Sequence, residues 1–581
     1  MQKFGRSNFK QNTTLVDTKR SAHISNIKDG DYRIINLGGT EECGKNMTLI
    51  EYKNSILIIN AGAQFSASSM PGVDFIIPNI KYLEENKDKI KGVIFTTSTL
   101  EYSGAFPFIN EMLNFPRVYG RHFTNTLIQK RIENKGLICK NDFIPVEDNI
   151  SLNIGDFKVR FSNTQSSTPD SMNISIETIE GDITYMSDTK LDKNNVKNLE
   201  TLPNFENNTK TLCLIADSLN SEVGISEFEL SDTKEKLKKV FAETKNKIFI
   251  TTFANNIYHI IKIIELAKEM GKKIILDSKT VEENISSAQE IGLIGKIDDV
   301  VIDILEKDKH KSSDLIYIVT GEEGREMDTI LKIVETDYKG IKIEDGDIVI
   351  MATHPIIHNQ RAAQNLKDGL SRAGADTIHY KYSDILITQS GSGEDLAKIH
   401  RALTPKFFIP MAGCHYMLRV HADIERRLGT PENHIIIPDN GMIIEIRDNC
   451  QRISNTREKV DTEVVVVDGN KIGKLHNVVL KDREILGAQG VFFIISLIDM
   501  RGHKLKKAPD LATRGFVFLK ESQELLVGAR DMSKNIIEEY LYKNNHIEID
   551  DIKEALQSQI AKYLMLKTAK QPVVIPIIIR V

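Results

Sequence analysis

The stretch KIKGVIFTTSTLEYSGAFPF, residues 89–108, decides how the first half of the chain folds. Its apolar run at residues 93–95 predicts a buried β-strand. Six of the next eight residues after this run carry a hydroxyl group, and Gly104-Ala105 then leads into a second apolar segment. The functional interpretation depends on the polar loop between the two apolar segments.

Strands and a helix are predicted on both sides of this stretch. Residues 56–59 form another apolar run of strand length, and residues 80–90, IKYLEENKDKI, have the pattern of an amphipathic helix. Short strands are predicted at residues 158–161 and 183–186. This alternation predicts layered α/β structure with the sheets inside and the helices outside.

A second region begins near Thr211. Residues 212–216 predict a strand that ends in Asp217, and strands at residues 247–250 and 348–350 follow, with a helix predicted at residues 257–270. Strand and helix continue to alternate, which predicts a parallel, doubly wound subdomain.

A third region begins after about Arg452. The polar segment QRISNTREKVDTE, residues 451–463, predicts a linker. Beyond it, strong β patterns and two helical patterns indicate a small α+β domain. They occupy residues 464–467, 491–495 and 573–579 for the strands, and 522–543 and 549–566 for the helices.

Composition restricts the class of protein. With 581 residues, 41% hydrophobic and 27% charged, the chain is typical of a globular protein with three or four domains of roughly 100–200 residues. The net charge of -5 means that any nucleic acid must meet a local basic surface. The five cysteines include no CxxC pair, so neither a disulfide framework nor a zinc ribbon is predicted.

Six strings carry a resemblance to one known family. They are LGGTEECGKNM at residues 37–47, PGVDFIIPNIKYLEENKDKIKGVIF at 71–95, TFANNI at 252–257, TGEEGREM at 320–327, PKFFIPMAG at 405–413 and DLATRGFVF at 510–518. In order and spacing the chain resembles ribonuclease J from about residue 30 to its C-terminus. The resemblance implies a metallo-β-lactamase αββα sandwich, a β-CASP α/β domain inserted into it, and a small C-terminal α+β domain.

The resemblance and the patterns together give the expected domain ranges. They are a basic flexible tail at residues 1–28, the sandwich at 29–210 and 383–452, the β-CASP domain at 211–382, a linker at 453–463 and the C-terminal domain at 464–581. The tail is expected to be disordered, or else to form an arm that touches RNA phosphates. No secretory signal or stretch of about 20 apolar residues is present in the sequence, so we expect a cytoplasmic location.

Active members of this family cut RNA with two zinc ions, and their main ligand loop reads His-x-His-x-Asp-His. The resemblance implies that Thr97 and Thr99 stand where two histidines belong. It places Glu101 at the aspartate and Tyr102 at the last histidine. Threonine and tyrosine hydroxyls are protonated near neutral pH and coordinate zinc poorly.

The other expected ligand positions have also changed. Asn60 takes the place of an aspartate at the end of the preceding strand, and Ser166 and Ala412 take the places of two histidines, whereas Asp188 is retained. Because two carboxylates alone cannot hold two zinc ions, the resemblance predicts that the metal site is lost and that no cofactor is required. Glu101 and Asp188 are interpreted as vestigial, or as ligands of one weakly bound magnesium or manganese ion.

The resemblance also places substrate-site residues in the β-CASP part. Asp217 matches an acidic active-site residue, and Tyr258 stands where a histidine is expected. His259 follows Tyr258, but on a helix it points about 100° away. The family's His-x-Ser-Gly-His string appears here as Thr388, Gln389, Ser390, Gly391 and Ser392. No catalytic residue is therefore expected, and Asp217 and Ser392 are interpreted as vestigial.

A further substrate-binding loop is altered. The family's TGSQGEP appears as TGEEGRE, in which Thr320, Gly321 and Gly324 are kept. Glu322 and Glu323 replace a serine and a glutamine, and carboxylates repel phosphate. Arg325 offsets part of that repulsion.

Other histidines offer little replacement. His354 and His358 are four residues apart, but Pro355 disfavours helical geometry at His354. His415, beside Cys414, is the nearest substitute donor to Ala412, and it adds one ligand.

These observations predict a non-catalytic or weakly active ribonuclease J paralogue that is the partner subunit of an active ribonuclease J in RNA processing and mRNA decay. RNA and the active paralogue are the expected partners, in a homo- or hetero-oligomer, and no membrane is involved. Two alternatives remain: a residual metal-dependent 5′-3′ exoribonuclease or endoribonuclease with a rearranged site, and a stand-alone RNA-binding protein.

Overall fold

The computed structural model describes residues 27–66, 70, 72–164, 166, 168–187, 209–223, 230–320, 328–336, 338–352, 360–379, 391–474, 483, 485–499, 502–516, 522–543 and 548–581. The chain divides into two compact units. The first contains Met1–Gly62 and Ile80–Thr462, and the second contains Ala63–Asn79 and Glu463–Val581.

Two sheets form the sandwich of the first unit. The larger has eight strands, in the spatial order Arg452–Lys459, Met442–Arg447, Tyr32–Gly38, Met47–Tyr52, Ser55–Ile59, Ile90–Ile94, Val118–Gly120 and Phe143–Pro145. The smaller has six strands, in the order Phe407–Met411, Thr211–Asp217, Gly181–Met186, Met172–Thr178, Phe157–Asn163 and Ser151–Ile154. Side chains of both sheets, such as Ile34, Leu57, Phe161 and Ile215, share one buried core.

Helices cover the outer faces of this sandwich. Helices Gly393–Leu403 and His415–Arg427 pack against the six-stranded sheet through a second buried cluster that includes Ile399, Phe408 and Ala422. The helices before the six-stranded sheet are Lys81–Glu85, Leu100–Ser103, Phe106–Ile109 and His122–Asn134, and short 3-10 turns lie at Lys87–Lys89 and Glu432–His434. The expected αββα layering is confirmed.

A five-stranded, fully parallel sheet forms the inserted subdomain. Its spatial order is Lys273–Leu276, Leu315–Val319, Ile248–Thr251, Ile348–Met351 and Asp376–His379. Alternate residues face opposite sides, so that Ile248 and Ile250 join one core and Phe249 joins another. The helices are Leu230–Glu243, Ile257–Glu269, Lys279–Glu290, Asp328–Glu335 and Gln360–Arg372, with 3-10 turns at Ile304–Lys309 and Ser312–Asp314. The prediction of a doubly wound subdomain is confirmed.

The second unit contains two small sheets. One has the spatial order Lys471–Lys474, Val465–Asp468, Phe75–Ile77 and Gln64–Phe65. In the other, Val491–Asp499 is central and pairs with Lys504–Leu505, Asp510–Arg514 and Val573–Arg580. Helices Gln523–Lys543 and Ile549–Thr568 share a buried core with the second sheet. The predicted C-terminal α+β arrangement is therefore present.

Two expected domain boundaries differ from the structure, and so does the expected linker between the sandwich and the C-terminal domain. Strand Thr211–Asp217 belongs to the six-stranded sheet, because it pairs in parallel with Gly181–Met186 and Phe407–Met411 rather than with the inserted sheet. Residues 63–79 belong to the second unit, because Phe75–Ile77 pairs with Val465–Asp468.

The expected linker, residues 453–463, is mostly strand. Arg452–Lys459 pairs antiparallel with Met442–Arg447 at the edge of the eight-stranded sheet, and its exposed residues alternate with covered ones. An edge strand leaves many side chains in water, which explains the polar composition that suggested a linker.

The predicted helix at residues 80–90 is also shorter, since Asn86 separates helix Lys81–Glu85 from a 3-10 turn. Within the parts of the chain that the structure covers, no helix is long and apolar enough to span a membrane.

A buried arginine joins three neighbouring strands of the eight-stranded sheet. Arg33 lies directly opposite Glu51 on one side and Glu445 on the other. Its Nη1 lies 3.2 Å from Glu51 Oε2, and its Nη2 lies 2.9 Å from Glu445 Oε1. Both carboxylates depend on this cation, because buried charges require partners.

We expect Arg33→Met to destabilise the protein by about 3 kcal/mol, because removing one partner of a buried ion pair strands the other charge. The loss stays at the lower end of the usual range since Tyr82 and Arg447 still contact the two carboxylates. Urea unfolding followed by circular dichroism measures the change. Lys158→Met, which breaks a half-exposed pair with Glu177, is the control and should cost less than about 1 kcal/mol. Equal losses in the two variants would show that Arg33 has no special role.

Candidate functional site

Several of the expected site residues that the structure describes lie at one edge of the sandwich. Strands Gly181–Met186, Thr211–Asp217 and Phe407–Met411 run parallel to one another, so their carboxyl ends lie side by side. Asp217 pairs with Met411, which Ala412 follows directly. Because the carboxyl ends of parallel strands are the usual location of sites in α/β proteins, this edge is the candidate site.

A short hydrogen bond links the two sheets at this edge. The Tyr102 hydroxyl donates to Asp217 Oδ2 at 2.6 Å, and both side chains are buried. The other carboxylate oxygen, Oδ1, accepts from the backbone N–H of Leu219 at 2.7 Å. Tyr102, at the position where the family has a histidine, is therefore a hydrogen-bond donor to a carboxylate.

The remaining residues of the ligand loop also bond to protein groups. The Ser171 hydroxyl donates to Thr97 Oγ1 at 3.2 Å. Burial raises the pKa of the half-buried Glu101 carboxyl, against the opposing effects of a hydrogen bond from Thr99 and the positive charge of Arg131. Glu101 is thus engaged with its own loop.

Asn60, directly after strand Ser55–Ile59, holds the start of the loop that follows the neighbouring strand Ile90–Ile94. Its Oδ1 accepts from the backbone N–H of Thr96 at 2.9 Å and from the Thr96 hydroxyl at 3.0 Å. Its Nδ2 donates to the Tyr185 hydroxyl at 3.3 Å. An amide donates as well as accepts, which a carboxylate cannot do, so Asn60 fits this bridging role.

The last two replaced positions also lack a good zinc donor. Ser166 Oγ accepts from the backbone N–H of Thr168 at 3.1 Å. Ala412 is buried and has a φ of 50°, in the left-handed region, and its methyl group cannot coordinate a cation. Asp188 lies outside the described residues, so the structure leaves its role as a prediction.

The donor set tests the metal chemistry that the resemblance implies. Zinc sites need imidazole, thiolate or carboxylate ligands in groups of three or four. In the part of the chain that the structure describes, no group of three or more His, Cys, Asp or Glu side chains is arranged to hold a metal ion. The residues present at this edge therefore do not fit two zinc ions.

Part of the predicted substrate-binding string lies beside this edge. Gly391 lines a small pocket together with Asp217, Leu219 and His400. Ser392 caps helix Gly393–Leu403: its Oγ accepts from the Asp395 N–H at 3.3 Å, and the Asp395 carboxylate accepts from the Ser392 N–H at 2.9 Å. This capping box gives Ser392 a structural role.

Several other predicted residues lie outside the described part of the chain. They are Thr388, Gln389, Ser390, Gly321, Gly324, Glu322, Glu323, Arg325, His354 and His358. Thr320, which directly follows strand Leu315–Val319, is described and buried. Substrate binding by this set remains a prediction.

Tyr258 and His259 point in different directions, as expected from their helix. Tyr258 is 40% exposed, whereas His259 is 1% exposed and its Nδ1 lies 3.3 Å from Thr252 Oγ1. Burial, helped by Lys262, lowers the pKa of His259 to about 4.

His415, the nearest substitute donor to Ala412, is engaged with another side chain. Its Nδ1 lies 2.9 Å from Glu41 Oε1, in an exposed pair.

A buried polar chain that was not predicted from the sequence lies next to the pocket. Ser218 Oγ lies 3.0 Å from His421 Nδ1, and His421 Nε2 lies 2.9 Å from His400 Nε2. Glu425 contacts His400 Nδ1. The spacing of His421 and Glu425, four residues apart on helix His415–Arg427, was the available signal. Burial and the charge of His400 lower the pKa of His421 well below its ordinary value, so His421 is neutral.

We expect Tyr102→Phe to destabilise the protein by about 1–3 kcal/mol, because the buried Asp217 carboxylate loses a hydrogen-bond donor. Thermal unfolding followed by circular dichroism measures the loss. Tyr416→Phe, at a position 66% exposed, is the matched control and should change nothing. An unchanged unfolding temperature in Tyr102→Phe would mean that water replaces the hydroxyl without cost.

Stability should fall as the pH drops below about 6.5, the ordinary histidine pKa. His259 and His421 both have lowered pKa values, so the unfolded chain binds more protons than the folded chain in acid. For His259 the loss continues down to about pH 4. Between the pKa values of the unfolded and folded chain, each of these histidines lowers the free energy of unfolding by on the order of 1.4 kcal/mol for each unit that the pH falls.

The variant His259→Gln isolates one of these protons. Its stability should depend less steeply on pH than that of the wild type between pH 6.5 and about 4, as measured by urea midpoints across that range. His503→Gln, at an exposed position, should keep the wild-type slope. Identical slopes in all three proteins would contradict the assignment.

Two family profiles match this chain. The profile described as "Ribonuclease J, beta-CASP domain" matches residues 245–370, which include the inserted parallel sheet except its last strand, and "Ribonuclease J C-terminal domain" matches residues 478–581. A crystal structure of a protein of unknown function from Enterococcus faecalis V583 is similar in fold, with a TM-score of 0.52 and 15% identity. It covers 71% of this chain and 100% of its own length.

Curated relatives extend the similarity over nearly the whole length. Ribonuclease J2 of Bacillus subtilis (strain 168) is 30% identical over 554 residues, 94% of this chain and 98% of the relative. Ribonuclease J 2 of Staphylococcus aureus (strain NCTC 8325 / PS 47) is 28% identical, covering 95% and 98%. Ribonuclease J 1 of Streptococcus pyogenes serotype M3 is 27% identical, also covering 95% and 98%. With its sandwich, inserted domain and C-terminal domain in this order, the chain belongs to the ribonuclease J family of RNA-processing, metallo-β-lactamase/β-CASP ribonucleases.

Proposed function

We propose that this chain is a non-catalytic or weakly active ribonuclease J subunit that acts in RNA processing and mRNA decay as the partner of an active ribonuclease J. The observation that carries the proposal is the hydrogen bond between Tyr102 and Asp217. It occupies the candidate site with two protein groups that are paired to each other.

The chemistry of the edge supports this reading. Hydrolysis of a phosphodiester by two metal ions requires a bound water that becomes hydroxide near neutral pH. Thr97 and Tyr102 offer only hydroxyl groups, and Ala412 offers a methyl group. Those side chains cannot lower the pKa of a water molecule as a pair of zinc ions does.

The surroundings of the site are well packed. The sheets on both sides share a continuous buried core, and the replaced loop is held by the hydrogen bonds of Asn60, Thr97 and Tyr102. A protein that retains this packed fold without the expected metal ligands is suited to a role that depends on its surfaces.

The C-terminal sheet offers such a surface. Helices share a core with one face of it, whereas Ile575, Ile577 and Ile579 on strand Val573–Arg580 are 36%, 39% and 46% exposed. Among the described strands, Val573–Arg580 pairs only with Val491–Asp499, so no described strand covers its outer edge. An apolar row beside an open edge is suited to binding another chain. We propose the active ribonuclease J as that chain.

The decisive experiment mixes the purified chain with an active ribonuclease J from the same cell. We expect one complex on size-exclusion chromatography, and we expect the isolated chain to contain little zinc. We also expect it to leave 5′-monophosphorylated RNA intact. Ile577→Glu should weaken the association at least tenfold, because a charge enters an apolar contact. Ile179→Glu, at a position 71% exposed in the first unit, is the matched control.

Two results would replace the proposal by its alternatives. RNA cleavage by the isolated chain that Asp188→Ala abolishes would favour a residual nuclease with a rearranged metal site. Salt-dependent RNA binding by the isolated chain, without any association with the active paralogue, would favour a stand-alone RNA-binding protein.

A further inference from the structure

Two cysteines that are far apart in the sequence meet at the candidate site. Cys43 Sγ lies 3.7 Å from Cys414 Sγ, although 371 residues separate the two positions. Cys43 is exposed and Cys414 is partly exposed, so small molecules in solution can reach the pair. Cys213 and Cys450 are buried, and Cys139 is partly exposed.

The backbone holds the two sulfur atoms together. Thr40 and Glu42 both form β-bridges with Gly413, and the Gly413 N–H donates to the Gly39 carbonyl at 3.4 Å. Cys43 and Cys414 are the residues that directly follow Glu42 and Gly413. A disulfide needs the sulfur atoms to approach to about 2.05 Å, and side-chain rotation can supply that approach where the backbones already adjoin.

One charged pair also joins the two segments. His415, next to Cys414, pairs with Glu41, whereas Lys45 pairs with Glu42 within the first segment at 3.1 Å. The protein atoms around its sulfur, with the neighbouring Cys414, raise the pKa of Cys43 to about 12. Cys43 is therefore a protonated thiol near neutral pH.

We propose that Cys43 and Cys414 form a reversible disulfide when the protein meets a low-molecular-weight disulfide. The thiolate of one cysteine attacks a sulfur of the small disulfide, which releases one small thiolate and leaves a mixed disulfide. The second cysteine, deprotonated as it reacts, attacks the protein sulfur of that mixed disulfide and releases the second small thiolate. The protein loses two electrons and two protons, and one small disulfide becomes two small thiols.

The consequence is a covalent bridge at the candidate site. The bridge joins the loop that follows strand Tyr32–Gly38 to the start of helix His415–Arg427, two residues beyond Ala412. In a reducing compartment the pair stays as thiols, and it closes only under oxidising conditions. This modification site is independent of the proposed partnership with an active ribonuclease J.

Peptide mapping of the full-length protein tests the proposal. After incubation with excess oxidised glutathione, the alkylatable thiols of the denatured protein should fall from five to three. Non-reducing tryptic digestion should yield one new species that joins residues 34–45 to residues 407–419, each of which contains one cysteine. Dithiothreitol should restore both peptides.

Three variants complete the design. Cys43→Ser and Cys414→Ser should each abolish the linked species, whereas Cys139→Ser should retain it. Unfolding temperatures of the reduced variants establish that each variant is folded. If one variant does not fold, the wild-type peptide map still shows whether the disulfide between Cys43 and Cys414 forms. Retention of five thiols, a stable glutathione adduct without closure, or a linkage between two protein molecules would overturn the proposal.

Discussion

The bond between Tyr102 and Asp217 is the interaction on which the candidate site depends. It links the loop after one sheet to the end of a strand in the other sheet, and it is buried on both sides. A buried carboxylate requires a donor, and a phenol supplies one without bringing a second charge. At the edge where the family resemblance places the metal ligands, a phenol and a carboxylate thereby hold these two elements together.

The strand order makes this contact possible. Because Thr211–Asp217 lies between two parallel strands, Asp217 emerges beside Met411 and close to Ala412 and Cys414. The inserted subdomain leaves the sandwich after Asp217 and the chain returns before helix Gly393–Leu403, so the pocket beside Asp217 is lined from both sides of the insertion. The strand order thus determines which residues meet at this edge.

Sequence reasoning succeeded where apolar runs are buried on both faces, as in strand Ser55–Ile59 and the inserted parallel sheet. It failed at Arg452–Lys459, because an exposed edge strand has the composition of a linker. The family resemblance predicts which residues stand at the ligand positions, but it could not predict the hydrogen-bond partners of those residues. The cysteine pair and most contacts of the chain from Ser218 to Glu425 were also not predicted, since these residues are far apart in the sequence and meet only through tertiary packing.

The salt bridges of Arg33 have a consequence for the order in which the protein is made. Strand Tyr32–Gly38 emerges from the ribosome early, yet one of its two neighbours, Met442–Arg447, is synthesised about 400 residues later. At roughly 5–20 residues per second, that neighbour arrives about 20–80 s after the strand it must cover. Throughout that interval the nascent sheet has an uncovered edge and an arginine with only one of its two carboxylates. The first unit therefore completes its fold only after Met442–Arg447 has been synthesised, and chaperones that recognise open β-edges have a long period in which to bind it.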